Sequence, residues 1–357
     1  MLTDVGTNEI DYVEAMANKG VLNFGSFNGK QASFFQKFPK LVWGYQPNLE
    51  RQAESFSTYV CTKVVKEPTS MSSPDVNGKP RKLGLWHTED DSWPGLIFLA
   101  ELVKKKVEDC GGEIVAEHTF PVCCLAQDNG TRPDYAVEAM ADFKQKGVTT
   151  ILWTGGIEGN AGKAATASAY FPEWILLGDG TFDTNWPVRL STHSQAFDRH
   201  AVTVSAETLE PGLRQQRCYQ AFREVNTTRP DIDMPYICTY YRNLFQLFTG
   251  IQVAGPRLGP TSVDNGFHAI PAIRSNDPST PACYYEAGDY TCVKDTQAEW
   301  WDANGQAPDD GQPGCWRAIQ RGKRYLPGEW PSGNINAQIT EADPCNGRSV
   351  RVLYSPT

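Results

Sequence analysis

No apolar run in this 357-residue chain approaches the roughly 18 residues that a membrane-spanning helix needs. The longest candidates are GLIFLA (95–100) and WILLG (174–178), so a spanning helix is excluded. Basic residues are outnumbered, with 33 Lys and Arg against 42 Asp and Glu and a formal charge of −9. Such a surface is repelled by phosphate backbones and anionic lipid, which argues against nucleic-acid and membrane-surface partners. The G-x-S-x-G elbow, the HExxH helix and any CxxC pair are missing, and no repeat of fixed period is visible. NAGKAA (160–165) is no phosphate loop, because Ile157 stands where the first glycine belongs and Ala164 where Ser or Thr must follow the lysine. The opening MLTDVGTNEIDYVEAMANKG has no basic start, apolar block or small-residue cleavage site, so no secretion signal is visible.

What is present pulls the other way. Ten cysteines occur, at 61, 110, 123, 124, 218, 238, 283, 292, 315 and 345, several among Gly and Pro and none at metal spacing. Disulfides in an oxidising compartment are the expectation. Spacing does not fix their connectivity, but Cys218 and Cys238 fall on consecutive helices, and Cys283 and Cys292 bracket the hairpin-like YYEAGDYT. Both pairs are predicted to bridge. Hydrophobic residues make up 40%, with 16 Phe, 14 Tyr and 10 Trp, enough to build a substantial core and inconsistent with a disordered chain.

Apolar periodicity predicts helices at 8–19 and 48–66, the second with Leu49, Ala53, Phe56, Val60 and Val64 in one stripe, and a short strand at 21–26. Residues 66–82 read as a linker. Regular alternation follows: strands at 82–88, 113–119, 148–154 and 173–179, with helices near 94–109, 134–146 and 160–170. Strand–helix alternation at this pitch implies crossover connections and a parallel sheet covered on both faces. Ligands of such sheets sit at the carboxyl ends of strands, here the loops after Thr88, Trp153 and Gly178. Helices are expected at 211–225 and 236–251, then an irregular, Cys-rich region rich in Gly, Pro, Asp and Trp.

Other motifs carry less. His193 and His200 have no ligand pattern around them, and NGT (129–131) and NTT (226–228) match the glycosylation triplet too commonly to decide anything. HTEDDSW (87–93) sets three acids in a strand-end loop. Acids there suit the positive end of the next helix, although an α/β enzyme using this loop is a competing reading.

The segments KLGLWHTEDDSWPG, LAELVKKKVEDCGGEIVAEHTF, VEAMADFKQKGVTTILWTGG and ASAYFPEWILLGDG, within 82–180, resemble the second lobe of type 1 periplasmic binding proteins, the solute receptors of ABC transporters such as branched-chain amino-acid-binding proteins. GVLNFGSFNGKQASFFQKFPKLVWGYQPNLERQAESFSTYVC (20–61) is similar to the later part of that family's first lobe, and CTYYRNLFQLFTG (238–250) to the helix returning to it. The resemblance spans about residues 10–255 and rests on the order of elements. It implies two Rossmann-like α/β lobes joined by hinge crossovers and closing over a small solute. Carried over by position, Ser26, Phe27 and Asn28 match the first-lobe loop that takes a polar ligand head. Trp93 matches an aromatic after the first strand of the second lobe, and Trp153 with Thr154 match a covering strand-end aromatic. Asp179 to Phe182 match the loop that places an acid for an ammonium group, and Tyr240 or Tyr241 the tyrosine beginning the returning helix.

In that family, strand–helix units precede the strand matched by VLNFGS, and this sequence shows none. An incomplete first lobe, with strand 21–26 near a sheet edge, is the expectation, and a shortened front would also account for the unseen signal. The expected division is lobe 1 from 1–80 plus 208–265, lobe 2 from 81–207, and a hinge return with disulfide-rich extension from 266–357. The resemblance implies a secreted or lipid-anchored solute-binding protein, without enzymatic activity, cofactor or metal, that partners an ABC permease. A sensory ligand-binding domain of the same fold is the alternative.

Overall fold

The computed structural model describes residues 10–25, 29–89, 93–121, 135–156, 158–180, 182–191, 193–225, 228, 234–272 and 280–348. The chain opens with α1 (Ile10–Asn18), β1 (Asn23–Gly25), α2 (Ala32–Gln36) and β2 (Val42–Gly44). β1 and β2 pair in parallel, and among the described residues they make up the whole of their sheet. The expectation of a reduced first lobe agrees with this.

The chain then crosses into the larger lobe. Asn48 caps α3 (Leu49–Tyr59) by accepting the Arg51 N–H at 2.9 Å, and a π-helical turn over Val60–Val64 prolongs the helix. Next come β3 (Leu83–Thr88), α4 (Pro94–Asp109) with proline in its first turn, β4 (Ile114–Phe120), α5 (Tyr135–Lys146), β5 (Thr150–Trp153), α6 (Ala161–Ala167) and β6 (Glu173–Gly178). Two short helices, α7 (Asn185–Leu190) and α8 (His193–Ala196), lead to β7 (Ala201–Ser205). The chain returns to the small lobe through α9 (Arg217–Val225), α10 (Met234–Ala254) and α11 (Pro260–His268), and crosses back into β8 (Gln297–Gln306) and β9 (Pro313–Ala318).

The large sheet has the order β4-β3-β5-β6-β7-β8-β9, parallel through β7 and antiparallel for the last two strands. Side chains alternate between its faces with the period of two that a strand imposes. Trp86, Trp153, Trp174, Trp301 and Trp316, from five different strands, share one face beneath α5, α6, α7 and α8. Leu85, Leu152, Ile175, Val202 and Trp300 share the other beneath α3 and α4. Trp86 is register partner to Trp153, and Trp301 to Trp316. The sheet thus separates two cores, one of them walled by indoles.

Two packing features bear on the expected division. Leu49, Phe56, Tyr59 and Met71 pack with Leu85 and Leu99, so α3 and the segment after it ride on the large sheet instead of completing lobe 1. The C-terminal region is not wholly irregular either: β8 and β9 extend the sheet, with Trp300, Trp301 and Trp316 essentially fully buried. The predicted pairs Cys218–Cys238 and Cys283–Cys292 are disulfides, with Cα separations of 5.0 and 4.7 Å. Cys61–Cys110 and Cys315–Cys345 join them, the first tying the π-helical turn to the end of α4 and the second tying β9 to the segment beyond it. Cys123 and Cys124 lie outside the described residues.

Candidate functional site

Among the described residues, three stretches of chain, 44–48, 205–210 and 293–297, run between the lobes. The first and third run side by side: Gly44 bridges Thr291, and the Val293 N–H donates to the Tyr45 carbonyl at 3.1 Å. Against the crossings lies a small cleft lined by Gln46 and Pro47 of the first crossing, Ala206 and Glu207 of the second, Gln52 of α3, and Gly178, Asp179 and Gly180 at the end of β6. It sits where β6 and β7 end, the carboxyl edge at which a parallel sheet presents its loops. In this conformation the cleft is partly open and has room for about one water molecule.

Local chain geometry explains why these residues meet. At Gly178 a Cβ would stand 2.6 Å from Asp183 Oδ2 and 2.9 Å from the Ser205 backbone, so only glycine lets β6 end against β7 there. Gly155, at φ +100°, brings the loop after β5 beside Asp179, whose Oδ2 accepts the Gly156 N–H at 3.1 Å. Asp183 lies beneath: its Oδ1 accepts the Gly180 N–H at 2.8 Å and its Oδ2 the Ser205 hydroxyl at 2.5 Å.

The floor is charged. Glu207 Oε1 accepts the Gln46 amide at 2.5 Å, and Oε2 accepts Arg242 Nη1 of α10 at 2.9 Å. Burial pushes the Glu207 carboxyl up, but Arg242, Arg348 and Arg324 together hold it below the ordinary glutamate range. Burial works against the Arg242 cation, yet Glu207 and Glu210 keep its pKa above the usual value. Deeper in, Arg348 faces both Glu299 and Asp183. Burial raises both of those carboxyls, Glu299 to about 7, with Arg348 pulling the other way.

One N–H of each cleft glutamine amide is engaged. Gln46 donates to Glu207, and Gln52 donates to the Pro47 carbonyl at 2.8 Å. The Asp179 carboxylate beside them only accepts, which suits a solute carrying an N–H or O–H donor.

Of the residues singled out from sequence, Asp179 lines the cleft. Ser26, Phe27 and Asn28 lie outside the described residues, as do Asp90 and Asp91. Trp93 is half-buried at the start of α4, where Gly95 approaches the Gly29 carbonyl of the small lobe; a Cβ there would meet it at 2.6 Å. Trp153 and Phe182 are corrections. Their rings lie 4.9 Å apart inside the indole-walled core, at 1% and 4% exposure, and neither lines the cleft. Thr154 is likewise sealed, at 0% exposure. Tyr240 is well exposed, and Tyr241 stacks on the exposed Phe245 along α10 at 6.4 Å, away from the cleft lining. Arg242, next in sequence, is the residue that α10 sends to the floor.

Gln46, Gln52, Glu207 and Arg242 escaped the sequence reading. GYQPN carried a signal for the first two, since proline and asparagine before an apolar stripe mark a helix start and hence a chain reversal. Glu207 and Arg242 have no such signal, because only tertiary contact brings them together. The HTEDD loop assembles no catalytic group among its described members. His87 Nε2 lies 3.0 Å from Glu117, which Lys104 also pairs, and Glu89 accepts the Thr119 hydroxyl at 2.7 Å. No metal-holding group of His, Cys, Asp and Glu occurs among the described residues.

No family model matches the chain, and no curated protein matches it. Solved structures do. A branched-chain amino-acid ABC transporter periplasmic ligand-binding protein from Burkholderia xenovorans LB400 superposes with a TM-score of 0.58 at 13% identity, over 89% of this chain and 74% of that one. The leucine-, isoleucine-, valine-, threonine- and alanine-binding protein from Brucella ovis, in a closed conformation, gives 0.57 at 12% identity, over 92% and 76%. A solute-binding protein of an ABC transporter from Rhodopseudomonas palustris BisB5, in complex with 3,4-dihydroxybenzoic acid, gives 0.56 at 12% identity, over 89% and 76%. The chain has the type 1 periplasmic-binding fold. These neighbours are binding proteins of ABC transporters, and at such identity the likeness is one of fold.

Proposed function

We propose that the protein is an extracytoplasmic solute-binding protein of an ABC importer that grips a small polar or amphiphilic metabolite between its lobes by reversible contacts, without chemistry of its own. The observation that carries this reading is the cleft itself: strand-end loops of the large sheet face the first crossing across a space that three hinge stretches allow to open. A solute of amino-acid size exceeds the space present in this conformation, so binding calls for the lobes to part and re-close, the change a permease would read. Asp179 would take a donor-bearing, positively charged end of the solute, with the Gln46 and Gln52 side-chain carbonyls beside it. The disulfides favour an oxidising compartment.

Thermal-shift screening against amino acids, amides, ureas and short carboxylates, with native mass spectrometry of whatever co-purifies, tests the reading. A saturable upward shift with the solute recovered intact supports it. Turnover of any solute, or the lack of any shift across amine-bearing and carboxylate libraries, removes it.

A further inference from the structure

Arg324 belongs to neither lobe's core and to no helix or strand, yet its side chain is only 4% exposed and every bond it makes falls on the hinge. Nη1 donates to the Glu207 carbonyl at 2.7 Å, and Nη2 to the Ala206 carbonyl at 2.8 Å, both in the second crossing. Nη2 also donates to the Asp295 carbonyl, and Nε to Asp295 Oδ1, each at 2.8 Å, in the third. The Asp295 carboxylate in turn accepts the Ala282 N–H with both oxygens at 3.1 Å, reaching into the small lobe. One planar fork therefore links two of the three crossings, a geometry that a guanidinium offers and an ammonium does not.

The chain around Arg324 is shaped for this task. Gln320, Arg321 and Gly322 follow one another at φ 52°, 60° and 79°. A left-handed conformation is unfavourable for a non-glycine residue, and here two adjacent ones adopt it to turn the chain back toward the hinge. The turn is held by the Tyr325 hydroxyl donating to Gln320 Oε1 at 2.6 Å. A two-way backbone bridge between Thr296 and Tyr325, at 3.0 and 2.8 Å, secures it from the other side. The loop thus adds a rung to the third crossing while its arginine fastens the second.

We propose that Arg324 is a positioning residue that staples the second hinge crossing to the third, so that the two bend together and the lobes separate through a restricted arc. Its purpose rests on the solute-binding reading, but the device is a property of the hinge alone. Without it the two crossings could slip past each other, and lobe separation would spread over many relative orientations.

The test measures lobe separation without any added solute. Spin labels are introduced through encoded ketone side chains at the exposed positions Lys19 and Lys105, one on each lobe, and their distance distribution is read by pulsed electron resonance. The wild-type chain should give a narrow distribution. Arg324→Met should broaden it at least twofold, and Arg324→Lys, which keeps the charge but not the fork, should fall between. A lowered melting temperature with an unchanged width in both variants would mean ordinary structural support and would overturn the proposal. If the methionine variant does not fold, Arg324→Lys decides alone, and an unbroadened distribution there overturns it equally. Failure of every solute in the binding screen would leave this distance measurement untouched, so the two readings fail separately.

Discussion

Gln46 donates its side-chain amide to Glu207 at 2.5 Å across the cleft floor, joining positions 161 residues apart in the chain. The bond connects the first crossing to the second, and Arg242 of α10 holds the other carboxylate oxygen at 2.9 Å. A carboxylate that accepts charge-assisted bonds from a hinge glutamine and an α10 arginine fixes their spacing as well as contributing energy.

A double-mutant cycle should expose that coupling. Gln46→Ala removes one neutral donor to a charge, and Glu207→Gln leaves Arg242 without its counter-ion. Glu207→Gln should cost about 1–3 kcal/mol, since Arg242 keeps some contact with solvent and with Glu210. Gln46→Ala should cost about 1 kcal/mol. The two together should cost less than their sum by at least about 0.5 kcal/mol, as expected for residues in direct contact. Urea denaturation of the four proteins measures this, and strict additivity would show that the contact carries no energy.

Trp153 separates a core role from a ligand role. Its ring is surrounded by Phe120, Trp174, Phe182, His193 and Phe197, and its indole N–H donates to the Gly155 carbonyl at 3.1 Å. Trp153→Ala should cost about 3–5 kcal/mol, and Trp153→Phe less than half of that. The phenylalanine variant should keep its solute affinity within about twofold by calorimetry. A tenfold loss of affinity in a stably folded Trp153→Phe protein would restore this residue to the binding site.

The contrast shows which parts of the molecule were legible in the sequence. Elements from β3 to β6 were readable because each is a local pattern, an apolar run bounded by a turn and then a stripe at helical spacing. The strand AVTVS (201–205) was passed over although its β-branched residues announce it, and QAEWWDANGQ was hidden by polar residues that are buried through pairing. Glu299 looks like a surface residue in sequence, and only Arg348, Gln297 and Asn346 make it a core one. The aromatics misled for a related reason. Composition shows how many indoles there are, but only strand register shows that Trp86, Trp153 and Trp174 line one face of the sheet and pack against helices. Asp179 was singled out through the family resemblance, and the rule about strand ends pointed to the same loop after Gly178.

Asp179→Asn tests the cleft directly. Asparagine keeps an oxygen for the Gly156 N–H, so the melting temperature without solute should move little. Affinity for an amine-bearing solute identified by the screen should fall at least tenfold, about 1.4 kcal/mol, through loss of the charge. Equal affinity in titration calorimetry would show that the solute's positive end lies elsewhere.

The pair formed by Glu299 and Arg348 should leave a mark on the pH dependence of stability. Glu299 is fully buried and pairs with Arg348 Nη2 at 2.5 Å, while Asp183 Oδ2 lies 3.8 Å from the same guanidinium. Two carboxyls thus compete for one cation, and burial pushes Glu299 up to about 7 from its ordinary 4.5. A carboxyl raised by folding binds its proton more tightly in the native state than in the unfolded chain. Its contribution is therefore complete below the ordinary glutamate range and is lost as pH rises through 7. Burial opposes the Glu207 and Glu158 carboxylates too, but Arg242 and His193 respectively hold them below their ordinary values, so they contribute the opposite slope at more acidic pH. Between pH 8 and 5 the Glu299 slope should dominate, with wild-type stability rising as pH falls by up to about 3 kcal/mol. Glu299→Gln carries no titrating proton and should flatten that rise. Denaturant midpoints for both proteins at pH 8, 7, 6 and 5 make the comparison, and parallel curves would mean that Glu299 stays ionised beside Arg348 throughout the range.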